Sequence, residues 1–90
     1  MMFEWDEHKN KLNIAKHGID FTDAKEIWQG PVMEGTSNQV QHDEPRVLAV
    51  GVMRGYCITV VYTWRGDVRR LISARKARTN ERENYEKKLR

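Results

Sequence analysis

The sequence predicts an α+β fold: two N-terminal helices, an antiparallel β-meander of three to four strands, and a C-terminal helix. Three observations carry this. Helix start and stop signals bracket residues 6–18. Runs rich in β-branched and aromatic residues follow one another between turn signals at Arg54-Gly55 and Arg65-Gly66-Asp67. Asn80 with Glu83 three residues later then resembles a capping box opening a last helix. The helices are expected on one face of the sheet. At 90 residues the chain makes one domain, residues 1–90, with room for a modest core.

Phe3-Glu4-Trp5 is a short apolar entry. Asp6 can cap a helix from Glu7 to His17, and Gly18 suits the left-handed position that ends it. Glu7 at its start and Lys16 and His17 in its last turn complement the helix dipole. His8, Leu12 and Ala15 form its inward line, with Ile14 and Lys11 beside them. The helix is polar enough that it must dock on something to persist. A second, shorter helix opens at Phe21-Thr22-Asp23 with Thr22 as N-cap. It shows Ala24, Ile27 and Trp28 on one face and stops at Gly30-Pro31.

Val32 to Glu34 has the makings of a short strand, and Gly35 to Pro45 is polar and reads as a loop. Arg46 to Met53, Tyr56 to Trp64 and Val68 to Ala74 are the three strands of the meander. The last helix carries Tyr85 and Leu89.

The N-terminus MMFEWDEHKNK lacks an apolar core segment, so no signal peptide is expected. No apolar run approaches the length of a membrane span, and a cytoplasmic protein is expected. Cys57, the single cysteine, excludes an internal disulfide; in its apolar run it reads as a small buried hydrophobe. His8, His17 and His42 show no ligand spacing, so neither a metal site nor a cofactor is expected. No phosphate-binding Gly-rich loop or nucleophile elbow occurs.

The net charge of +3 conceals an asymmetry. Residues 1–45 hold four basic and nine acidic residues, and residues 46–90 hold twelve and four. The basic half centres on Arg65 to Arg78, where six cations (Arg65, Arg69, Arg70, Arg75, Lys76 and Arg78) accompany one acid, Asp67. Cations on a rigid strand suit a phosphate backbone held in register. Strand alternation places Val68, Arg70, Ile72 and Ala74 toward the core. It places Arg69, Leu71, Ser73 and Arg75 outward. Arg70 is the misfit, and a slip of one residue swaps the faces.

Three segments together resemble the BrnT-type family of bacterial toxins within the RelE-like ribonuclease toxins. They are FEWDEHKNKLNIAKHGIDF (residues 3–21), VVYTWRG (60–66) and RRLISARKARTNERENYE (69–86), about half of the chain. The resemblance implies two helices followed by a strongly curved antiparallel sheet, a RelE-like fold. It also implies a type II toxin that cuts RNA, inhibits translation and so arrests growth. A ribbon-helix-helix antitoxin would neutralise it, in a heterotetramer that meets DNA only through the antitoxin.

Metal-independent RNA cleavage uses the 2′-hydroxyl as nucleophile. It needs a base, an acid for the 5′-oxygen, and cations for the phosphorane. Arg75 is the first choice for the phosphate, because its planar fork matches phosphate oxygens. Arg65, Arg69, Lys76 and Arg78 extend the RNA-binding track. His17, Glu81 and Tyr85 are the candidates for proton transfer. Each has a plainer reading: His17 can cap its helix, Glu81 can orient Arg75 by a salt bridge, and Tyr85 can pack on the core. Trp64, beside Arg65, is a candidate stacking surface. Without the proton-transfer groups, the same cations describe a non-catalytic RNA- or ribosome-binding domain. A third reading, compatible with the toxin, is a basic face that accepts an acidic partner segment.

Overall fold

A computed structural model describes residues 1–41 and 44–89, the side chains of 37–41 excepted. The order is β1 (Met2–Glu4), α1 (Glu7–His17), α2 (Phe21–Ala24) continued by a 3-10 segment (Lys25–Gln29), β2 (Met33–Gln41), β3 (Glu44–Met53), β4 (Tyr56–Arg65), β5 (Val68–Lys76) and α3 (Thr79–Leu89). The strands form one sheet in the order β1-β5-β4-β3-β2. β1 lies parallel to β5, and the other neighbours are antiparallel.

The α+β class and the three-stranded meander stand, but the sheet has five strands and is mixed. The apolar entry is itself a strand: Phe3 pairs with Arg69. Most of the polar run expected as a loop is strand too. β2 pairs along β3 from Met33↔Val50 to Gln41↔Glu44, with a register shift between Thr36 and Val40. An edge strand needs a backbone partner more than apolar side chains, so polarity misleads there. His42 and Asp43 of that expected loop lie outside the described residues.

The turns behave as their residues require. Gly18 ends α1 at φ 72°, with its N–H donated to the Ile14 carbonyl. Arg54 and Gly55 both take positive φ, 50° and 85°, which matches the twist of a two-residue hairpin. Gly51 is needed for space: a Cβ there would lie 2.7 Å from the Ile27 Cβ, where the 3-10 segment crosses β3.

The main core lies between α1, α2 and the 3-10 segment on one side and the sheet on the other. Ile19, Phe21, Ala24 and Ile27 meet Ala49, Ile58, Val60, Tyr62, Leu71 and Ala74. The inward side of α1 differs from expectation. Asn10 and Asn13 are buried, whereas Leu12 is 57% exposed and Ile14 is also exposed. Asn10 accepts from the Phe21 N–H and donates to Asp20, whose carboxylate, not the Thr22 hydroxyl, caps α2. Asn13 accepts from the Ala74 N–H and donates to the carbonyls of Ala74 and Ile19. β1 covers only residues 68–70 of β5. Beyond it, one asparagine side chain does the work of a missing strand partner.

α3 corrects the one-face arrangement. Glu81 on α3 bonds Thr59, which alternates with the core residues Ile58 and Val60. α3 therefore packs on the sheet face opposite α1 and α2. Its carboxylate cap is Glu81 reaching back to the Arg78 N–H at 2.7 Å, so Asn80 and Glu83 are not the capping pair.

Candidate active site

A bulge in β5 decides which cations share a face. Val61 pairs with Ser73 and Tyr62 with Leu71, so Ile72 has no partner on β4. Leu71 and Ala74, three residues apart, consequently both face the core. Ahead of the bulge Arg69 joins Leu71 on that side, and Arg70 takes the opposite face. Behind it Ser73 and Arg75 share the face of Arg70. The expected outward pair of Arg69 and Arg75 is thereby replaced by Arg70 and Arg75. Arg69, Arg70 and Leu71 are residues the alternation pattern misassigned, and the odd spacing of Leu71 and Ala74 was the available signal.

Arg69 is committed to packing. Its guanidinium lies over the rings of Trp64 (4.5 Å), Trp28 (5.1 Å) and Tyr62 (5.4 Å). Its Nε is buried and finds no hydrogen-bond partner among the described residues. Trp64 stands beside it on the face covered by α2 and the 3-10 segment, away from Arg75. Tyr62 donates its hydroxyl to Glu34; burial first, and that bond second, push its phenol up to about 12.

Arg75 is held hard. Its Nη1 and Nη2 donate to Oε1 and Oε2 of Glu81 at 2.8 and 3.0 Å, and the two side chains are only 17% and 13% exposed. The same carboxylate accepts from the Thr59 hydroxyl at 3.0 Å and the Arg78 N–H at 2.7 Å. With the Arg75 bond as the largest cause, the Glu81 pKa falls to about 2. Such a carboxylate does not take protons near neutral pH, so its geometry is that of a clamp on Arg75 and not of a base.

This clamp has a consequence for acid stability. The folded state favours ionised Glu81, so its contribution is full above the ordinary pKa of 4.5 and is lost as pH falls from there toward about 2. The expected deficit of Glu81→Gln at pH 7 is on the order of 2–3 kcal/mol. Urea unfolding should show that deficit shrinking by about half at pH 3, and an unchanged gap would contradict the clamp.

His17 ends α1 at the margin of the same site. Partial burial lowers its pKa first, and the charges of Lys16 and Arg75 lower it further. His17 and Ser73 line one shallow concavity of about 220 Å³.

The other expected site residues lie apart. Tyr85 is buried and donates its hydroxyl to the Pro31 carbonyl at 2.8 Å, which gives it the packing role of the two left open. Arg65 is exposed and pairs with Glu44 at 3.0 Å. Lys76 alternates onto the face opposite Arg75 and lines a separate cavity of about 550 Å³ with Cys57 and Tyr85. Burial raises the Cys57 thiol pKa, which suits a packed side chain. Arg78 has an exposed side chain and contributes its backbone N–H to Glu81. Arg70 pairs with Glu4 at 2.7 Å. Arg46 alternates with Val47 and so shares the face of Arg75. Among the described residues, no three His, Cys, Asp or Glu converge as metal ligands, and no helix is long and apolar enough to cross a membrane.

A family model described as "Ribonuclease toxin, BrnT, of type II toxin-antitoxin system" matches residues 5–81. The chain belongs to the BrnT family. As a BrnT toxin it is a ribonuclease, with RNA as its substrate and an antitoxin as its partner. The matched BrnT region takes in His17, Arg75 and Glu81 and ends short of Tyr85. No curated protein matches the chain.

Proposed function

We propose that this toxin is a metal-independent endoribonuclease that uses the RNA 2′-hydroxyl as nucleophile and inhibits translation. The Arg75 side chain, pinned by Glu81 where α3 meets the sheet and close to the His17 end of α1, carries the reading. Arg75 donates to the non-bridging phosphate oxygens and meets the charge that grows on the phosphorane. Glu81 holds that side chain in place. His17 is neutral at pH 7 because its pKa lies below the ordinary 6.5, so its free nitrogen can take the 2′-hydroxyl proton. The leaving 5′-oxygen takes its proton from water. Neutralisation falls to a cognate ribbon-helix-helix antitoxin in a heterotetramer, which alone contacts DNA, and the setting is the cytoplasm.

RNA incubated with the purified protein and EDTA should yield discrete fragments ending in 2′,3′-cyclic phosphate. Protonating His17 removes the base, so the rate should fall as pH drops below 6.5 and stay flat above 7. His17→Gln should abolish that acid limb along with most of the rate. Protein that binds RNA but leaves it intact would establish the non-catalytic reading instead.

A further inference from the structure

α1 carries a second feature that the Arg75 site does not use. Lys9, Leu12 and Lys16 recur at helical spacing on one stripe of α1, together with the inward-turned Asn13. With Ile72, Ser73 and His17 they line the concavity of about 220 Å³ between α1 and β5. Ile72 is there because the β5 bulge leaves it without a β4 partner. Leu12 is 57% exposed and stands in the lining of this concavity. An apolar floor thus lies between two exposed lysines, and the groove shares His17 with the site of Arg75.

We infer that this groove is a nucleotide subsite that takes the stretch of single-stranded RNA next to the phosphate held by Arg75. Lys9 and Lys16 meet phosphate oxygens, and Leu12 and Ile72 lie against a base. Three points favour RNA as the occupant. The groove is continuous with the cleavage site through His17 and Ser73. Its charged lining residues, Lys9 and Lys16, are both cations, and no carboxylate lines it. Alternating cations and apolar contacts suit a strand that offers a phosphate and a base at every step. The subsite rests on the reading of Arg75 as the phosphate anchor. It also extends the RNA track from the sheet onto α1, whose cations strand reasoning leaves out.

The test uses a short fluorescein-labelled RNA carrying 2′-O-methyl groups, which binds without being cut. Its affinity is measured by anisotropy against the wild-type protein, Lys9→Gln/Leu12→Ser and Arg75→Ala, after each shows a cooperative melt. Both positions of the double variant are exposed, so the fold should persist. The double variant should lose affinity about tenfold and show a shallower dependence on salt, by about one phosphate contact. Wild-type affinity in the double variant, with loss in Arg75→Ala, would overturn the subsite and leave the anchor standing. Wild-type affinity in Arg75→Ala would remove the anchor itself. Unchanged RNA binding by the double variant, with weakened binding of purified antitoxin, would assign the groove to the antitoxin and overturn the inference.

Discussion

Arg75→Ala is expected to lower the rate of RNA cleavage by about 10²–10³-fold, the range found when a single preorganised donor to a developing oxyanion is removed. The argument begins with Glu81. Its two oxygens hold both Nη groups, and the Thr59 hydroxyl and the Arg78 N–H hold the carboxylate in turn. Arg75 therefore loses little conformational entropy on meeting a phosphate, which it meets through the donors that Glu81 and the Lys76 carbonyl do not take up. Lysine cannot reproduce a two-toothed grip on Glu81, so Arg75→Lys should recover only a small part of the rate. Glu81→Ala leaves the arginine present but loose. Its loss should appear mainly in kcat, with a modest change in KM, because binding needs the charge and chemistry needs the aim. Single-turnover cleavage of one RNA by all three variants checks this. An Arg75→Ala protein that folds and still cuts within tenfold of wild type would remove Arg75 from the mechanism.

The features legible in the sequence were those set by local chemistry. Asp6 and Gly18 bound α1 because capping depends on the few residues beside the helix end. The hairpin at Arg54-Gly55 was equally plain. The features that failed depend on tertiary partners. Periodicity expects methyl groups on the buried face of a helix, yet α1 packs against the bare backbone of β5 and the turn before α2. Backbone edges call for amides, so Asn10 and Asn13 go inward and Leu12 stays out. Strict alternation likewise assumes no bulge, and one unpaired residue, Ile72, reversed the faces of Arg69 and Arg70. Arg75 and Ser73 kept their expected face only because they lie beyond the bulge. The pairing of Arg75 with Glu81 was legible as an alternative, since six residues spanning a strand end and a helix start can meet. Thr59 as the third member was not, because nothing local ties it to residue 81.

Asn13 should be the most sensitive position for stability. Asn13→Ala leaves the N–H and C=O of Ala74 and the Ile19 carbonyl without their side-chain partner in a buried setting. The expected cost is about 3–4 kcal/mol, each abandoned buried group contributing on the order of 1–3 kcal/mol before relaxation. Asn13→Asp is the sharper probe. An ionised carboxylate can still accept from the Ala74 N–H, but it faces two carbonyl oxygens that need a donor. That environment raises the folded-state pKa of the substituted carboxyl above its unfolded value. Protonation restores a donor, so the variant should gain stability relative to wild type as pH falls from 7 to 5, and lose it as pH rises. Urea unfolding at the two pH values measures this, and hydrogen exchange at the Ala74 amide reports the lost bond directly. Either substitution should also reduce cleavage more than the loss of folded protein explains, since Asn13 is the bolt that fixes the His17 end of α1 against the Arg75 strand. Full activity in a folded Asn13→Ala protein would show that His17 does not need this anchor, and would weaken its assignment as the base.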